Sequence, residues 1–431
     1  MAPSAAFDPQ WAWARFEPDA HRPWNLALAG HLYRRAAFGA AWPQLQRALA
    51  DGPQQTLDRL LRPGAEAAAF NRQFDEYETP PGDDRSATEL RAWWLQRMIR
   101  TPHPLLEKMT LFWHGHCAAN NGKVESAPSL QRYLQLLRRH ALGDFRALLA
   151  GLVQDAALFA TFDAKANRRA LPNPGFPRWL LEAHLGQASE QDIREAARAF
   201  SGWFVQLDQL RFIEREHDTG NKQILGSTGN FGADDVARLV LAQPATAAML
   251  VRKLYRWLIS ETAEPAAALL APLEAAFAKD YDVLALVETM LRSNLFFSPA
   301  AYRQRVKSPV EYALGMIQGL ETSVATQPLG DALAGLGQNL LHPPTTRGWS
   351  GGRDWLNPAT VAGRLRLADA LLRGGPYSEN LNLAALVQKH GQPATIFFAQ
   401  LYVQDEPAAG SAPDPRHAAY AAVAQPEFLL A

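Results

Sequence analysis

Residues 105–116, LLEKMTLFWHGH, place a carboxylate, an ammonium, a hydroxyl and two imidazoles inside an apolar run. A His-x-His pair suggests metal binding, because imidazole is the commonest protein ligand for zinc, copper and iron. On an α-helix, side chains two apart point about 200° away from each other. His114 and His116 can therefore reach one ion only if the helix ends or unwinds at Gly115. Read as a helix, the segment carries Leu105, Met109, Phe112 and His116 on one stripe and Glu107, Thr110, His114, Cys117 and Asn121 on another. The second stripe could line a polar pocket, with Glu107 and His114 as acid, base or ligand. The same groups would equally serve as a buried hydrogen-bond network tying this helix to its neighbours, since buried polar groups need partners.

Three further clusters carry candidate groups. Residues 167–184, NRRALPNPGFPRWLLEAH, offer Asn173, Arg178, Glu182 and His184. Arg178 and Glu182 are four apart and can pair on a helix face, while His184 either joins a site or complements the helix C-terminus. If a divalent metal is the cofactor, His114 and His184 are the ligands expected to hold it. The segment EREHDTGNK, 214–222, sets His217, Asp218 and Lys222 on a turn, giving a base, an acid and an anion-binding charge, or simply an exposed charged loop. Residues 348–358, GWSGGRDWLNP, form a glycine-rich loop ahead of a helix, where free amides can hold an anion with help from Arg347 and Arg353. The alternative is a tight turn anchored by two Trp side chains.

Several chemistries lose support. The Gly-x-Ser-x-Gly spacing at Gly348-Trp349-Ser350-Gly351-Gly352 has no preceding strand to make it a nucleophile elbow, and there is no His-Glu-x-x-His, no paired Cys motif and no Gly-Lys-Ser/Thr phosphate loop. The 43 basic and 43 acidic residues cancel, which removes the basic excess that nucleic-acid binding usually needs. The single cysteine, Cys117, excludes an internal disulfide framework. No basic start with an apolar run opens the chain, and no stretch of 18 uninterrupted apolar residues follows. The expectation is a cytoplasmic location as the sequence stands, or a periplasmic or extracellular one if a leader has been removed.

The elements that must position these groups are mainly helical. With 48% apolar and 20% charged residues over 431 positions, the chain can bury a large core. Residues 1–24 read as an extended arm packing through Trp11, Trp13, Phe16 and Trp24, and residues 25–431 as one helical domain. Asn25 caps a first helix, and Pro43 starts a second. Residues 63–85 read as a long loop, ended by the capping box Ser86-Ala87-Thr88-Glu89. Helical patterns then cover 104–121, 129–140, 144–163, 176–185 and 190–202. At 203–225, short β-type runs predict a small β-hairpin or three-stranded sheet. Helices resume at 233–242, 245–259, 265–279, 282–292, 309–320, 329–340 and 358–373. The fold class is a large irregular multi-helix bundle.

Seven segments carry a resemblance: HLYRRAAFG (31–39), EKMTLFWHGHCA (107–118), the PN-led helix ending ARAFSGW (172–203), HDTGNKQILG (217–226), RKLYRWLI (252–259), SPVEYALG (308–315) and PPTTRGWSGGRDWLN (343–357). In this order they resemble the bacterial family called domain of unknown function 1800. The resemblance implies one family unit across the chain, an exported relative more often than not, and a sulfatase-like protein as a genetic neighbour and partner. It also exposes a departure. Where the family pattern reads Pro-Asn-Glu-Asn-Phe/Tyr-Ala-Arg-Glu-Leu-Leu-Glu-Leu, this chain keeps Asn173, Arg178 and Glu182 but has Pro174, Gly175 and Trp179 in place of Glu, Asn and Glu.

The sequence thus leads to a polar pocket built by His114, Glu107, Glu182, His184 and the His217-Asp218 turn, binding a polar or anionic ligand and acting on it hydrolytically. The alternative is a non-catalytic scaffold or envelope-associated binding protein working with a partner enzyme, which the missing carboxylates favour.

Overall fold

Short polar residues stand in front of many of the helices, and their side chains close the first turns. Asn25 accepts from Leu28 N at 3.0 Å ahead of Leu26–Ala36. Ser86 and Glu89 exchange reciprocal bonds ahead of Ala87–Arg100, and Ser308 and Glu311 do so ahead of Pro309–Leu320. Asn357 caps Pro358–Arg373, with Pro at its first position. Each cap satisfies amides that have no partner inside the helix. The computed structural model describes residues 7–62, 64–75, 86–262, 264–378, 380–404 and 414–431.

The architecture is mainly α, with two small antiparallel sheets among the described residues. At its centre lies Pro104–Cys117, which buries its apolar and its polar side chains alike, so every face of it meets protein. Leu26–Ala36, Trp42–Leu61, Ala87–Arg100 and Ala127–His140 pack around it. A second group, Gly175–Leu185, Glu190–Ala199 and Pro244–Leu258, packs together beside the C-terminal half of that helix, and His184 and Lys253 reach it from there. Pro309–Leu320 is enclosed as completely and contacts Ala87–Arg100 and Pro358–Arg373. One continuous cluster of buried apolar side chains runs from Ala12 to Phe428. No helix among the described residues is long and apolar enough to cross a membrane.

In four places the fold refines or departs from the sequence expectation. Within 63–85, Ala65–Asp75 is a helix rather than loop, while residues 76–85 lie outside the described residues. In the N-terminal arm, described from residue 7, Pro9–Trp13 is a short helix capped by Asp8. The arm docks by burying Phe16 and by indole bonds from Trp13 to Leu269 O and Trp24 to Ala48 O; Trp11 stays largely exposed, stacked on Phe7. The 144–163 pattern divides into Phe145–Leu152 and Ala156–Thr161, because Asp155 caps the second piece and breaks the first. The β insertion is two hairpins: Trp203–Gln206 with Gln209–Phe212, and Lys222–Ile224 with Ser227–Gly229. Both turn on two residues at positive φ, Leu207-Asp208 and Leu225-Gly226, which match the right-handed twist of paired strands.

Candidate functional site

The central helix stays helical through Cys117 and closes on Ala118 in the left-handed region, so His114 and His116 point to different sides. His114 turns to the interior. Its Nε2 accepts the Leu341 amide at 3.1 Å, which places the proton on Nδ1, 3.4 Å from the Tyr133 hydroxyl oxygen. Trp94, Tyr133 and Trp349 enclose the ring edge to face. Burial lowers its pKa to about 3, so it is a neutral, fully bonded histidine.

Glu107 closes a separate network. Its carboxylate accepts from Trp94 Nε1 at 3.0 Å, Arg97 Nε at 2.9 Å and Arg138 Nε at 2.7 Å. Burial pushes its pKa up, but Arg138, Arg97 and the indole outweigh that and hold it below the usual value. The group is an anchor with its oxygens occupied.

The His217-Asp218 turn closes on itself in the same way. His217 Nδ1 donates to Ser201 O at 2.7 Å, and Asp218 takes Arg198 Nε at 2.8 Å, the bond that chiefly lowers its pKa to about 2. Lys222 Nζ donates to Asp218 O, Gly220 O and Asn230 Oδ1. Asn173 fastens the start of Gly175–Leu185, accepting from Gly175 N and donating to Asp163 O. Arg353 is exposed on the Gly352–Trp355 turn. Glu107, His114 and the His217-Asp218 turn therefore do not share one pocket with Glu182 and His184, as the sequence had suggested: each is held in its own network.

What the structure does bring together is His184, His116 and Lys253. His184 Nδ1 donates to Leu180 O at 2.7 Å, leaving Nε2 as an acceptor 3.3 Å from His116 Nε2. The proton between the rings therefore belongs to His116, and His116 Nδ1 accepts from the Lys253 ammonium at 2.7 Å. The chain runs from Lys253 through His116 and His184 to a backbone carbonyl, with every ring nitrogen matched. Burial lowers the pKa of His184 to about 4 and pushes that of His116 well below its usual value, the nearby Lys253 charge adding to the latter. Burial also brings Lys253 down to about 8. Among the described residues no carboxylate pairs with this ammonium.

Two cavities meet at this chain. One, of about 270 Å³, is walled by Phe112, Trp257, Trp349 and Trp355; the other, of about 340 Å³, by Phe162, Trp179, Arg178 and Glu182. His116, Lys253 and Arg347 line both. Glu182 accepts from Arg347 Nη2 at 3.0 Å and lies 3.5 Å from Arg178 Nη1, and Arg178 also grips Glu190. The loop carrying Arg347 and Trp349 crosses the central helix where both chains are bare. Gly348 has φ +78°, and a Cβ there would run into Gly115 O, whereas the space beside Gly115 is open. The glycine-rich loop thus forms one rim of the cleft.

These residues do not fit a divalent ion held by His114 and His184. The ring that His184 meets is His116, whose remaining nitrogen faces an ammonium. No group of three or more His, Cys, Asp or Glu among the described residues is placed to hold a metal. Cys117 is buried, and burial raises its thiol pKa far out of the nucleophilic range. Sequence reading passed over Lys253, because nothing in RKLYRWLI distinguishes it from a solvated helix lysine.

One family model, described as "Protein of unknown function (DUF1800)", matches residues 31–430. No curated protein and no solved structure matches this chain.

Proposed function

The chain belongs to the DUF1800 family, whose description carries no activity, and from its cleft we propose that it binds a small anionic ligand between Lys253 and Arg347. The observation that carries this reading is the pairing of Lys253. A half-buried ammonium at the junction of two cavities has an imidazole as its hydrogen-bond partner and no carboxylate beside it. An anion entering either cavity gains attraction in a setting of lowered dielectric and removes an uncompensated charge. The Trp and Phe walls suit a ligand whose remainder is apolar or flat, with few polar groups fixing its orientation. If the ligand is an ester or anhydride, Lys253 is also the group to act hydrolytically. An ammonium with a pKa of about 8 can give up and regain a proton near neutral pH, and the ordered His116-His184 pair holds it in place.

The test uses inorganic sulfate, phosphate and acetate as probes, followed by thermal shift, in the wild type and Lys253→Met. Saturable stabilisation lost in the variant supports the reading; identical responses in both contradict it. Turnover of p-nitrophenyl phosphate, sulfate or acetate that depends on Lys253 supports the hydrolytic part.

A second reading, a binding module without catalysis, is favoured by one observation: among the described residues no carboxylate pairs with Lys253 to share its proton. Glu182 is held by Arg347 and Arg178, and Pro174, Gly175 and Trp179 replace the polar groups of the family pattern. On that reading the chain presents an anionic group to a partner enzyme, a sulfatase-like one by family association, in the cell envelope. Binding without turnover separates it from the first.

A further inference from the structure

A different part of the interior carries more positive charge than its acids can balance. Arg34, Arg35, Lys108, Arg305, Lys307 and Arg364 are all buried there. The buried carboxylate among them, Glu311, is already used: Oε1 takes Lys108 and Arg305, and Oε2 takes the Ser308 amide at 2.9 Å. Glu261, at the margin, accepts from Val306 N at 2.6 Å. Backbone carbonyls absorb some of the rest, Arg35 bonding Ile259 O and Ala301 O and Arg364 bonding Lys307 O.

Arg35, Arg305 and Arg364 each keep at least one nitrogen without an acceptor, and two further cations are left short beside one cavity. Arg34 bonds Gln404 through Nη1 and lies over the Tyr302 ring, and its Nε and Nη2 meet no acceptor at full hydrogen-bond geometry. Lys307 has its ammonium over the Phe428 ring, 3.7 Å from the centroid, and no acceptor among the described residues reaches it. Both line one small cavity, together with Glu311, Tyr402, Gln404 and Phe428, with room of about 20 Å³. That suffices for a single water-sized occupant and excludes phosphate or sulfate. Glycines keep it open. A Cβ on Gly30 would collide with the Gln404 side chain, and one on Gly315 would stand 3.9 Å from Lys307 Nζ.

We propose that this cavity is an internal site for a small monovalent anion of the halide class, held between Arg34 and Lys307. Water could accept from these groups but would leave their charge uncompensated. A monatomic anion meets both needs in the same volume. Lysine can shed its charge by losing a proton, but arginine cannot in the working range, so the demand from Arg34 persists. The site is separate from the Lys253 cleft and does not depend on the reading given to that cleft.

Crystals of the full chain soaked in low-millimolar bromide test it. An anomalous peak between Arg34 and Lys307 is expected, and a map without bromide there overturns the proposal. In solution, unfolding temperature should rise saturably in sodium bromide relative to sodium gluconate at equal ionic strength, by linkage to the folded state. Measured in a Lys253→Met background, so that the cleft contributes nothing, the rise should persist, and adding Arg34→Met should abolish it. Should Arg34→Met fail to fold, Gly315→Ala, which narrows the same cavity, takes its place. A halide response unchanged in the altered cavity overturns the assignment.

Discussion

The Lys253 ammonium donates to His116 Nδ1 at 2.7 Å across two helices 137 residues apart in the chain, and it is this bond that defines the cleft. Because His184 fixes the other nitrogen of His116, the imidazole can only accept from Lys253, and the ammonium is aimed rather than free. The following expectations rest on that arrangement and on the networks around it.

Anion affinity should follow the charge on Lys253. Burial brings its pKa down to about 8, so the ammonium is fully charged below that pH and is lost as pH rises through it. Sulfate affinity measured by calorimetry should be level below pH 8 and then fall by about tenfold for each further pH unit. Affinity that stays level up to the ordinary lysine value of 10.5 would show that Lys253 is not the group that binds.

Replacing Glu107 with Gln should destabilise the chain by about 3–5 kcal/mol in urea unfolding, because buried Arg97 and Arg138 lose their shared counter-charge. The folded pKa of Glu107 is lowered, so its contribution is present above its ordinary value of 4.5 and is lost as pH falls through the folded value. The variant should therefore lose less stability on acidification than the wild type.

His114 and His116 should separate cleanly. His114→Phe removes the acceptor for the buried Leu341 amide and should cost about 1–3 kcal/mol, with sulfate affinity unchanged in calorimetry. His116→Phe removes the partner of Lys253 and should alter sulfate affinity and its pH profile together. Equal effects of the two changes on affinity would contradict this division.

Gly348→Ala should push the Arg347–Trp349 loop off the central helix, since the backbone sits at φ +78° and a Cβ overlaps Gly115 O. A loss of about 1–3 kcal/mol or more, with weakened anion binding, is expected from thermal and binding measurements. Gly115→Ala, beside open space, should fold normally.

Local chemistry made much of the fold legible. Ser86-Glu89, Asn25 and Asn357-Pro358 signal helix starts through bonds made within four residues. Ala65–Asp75 escaped notice because it buries little, chiefly Ala67 and Phe74, and so lacks a strong apolar period. Asp155 looked like a helix-face residue until its side chain capped the next turn. The site was harder to read for a physical reason. On a helix buried all round, the sequence shows that Glu107, His114 and His116 need partners but not which of them faces a cavity. Glu107 and His114 meet partners that saturate them, whereas His116, assigned by periodicity to the apolar stripe, meets His184 and Lys253 from distant helices. Lys253 itself carries no local signal.

The most direct measurement is an anomalous difference map from crystals grown in selenate, a sulfate analogue whose position is unambiguous. The account predicts a peak within hydrogen-bonding distance of Lys253 Nζ and on the side of Arg347, absent in Lys253→Met. A map empty at Lys253, or a metal peak between His116 and His184 in protein purified without chelator, would contradict it.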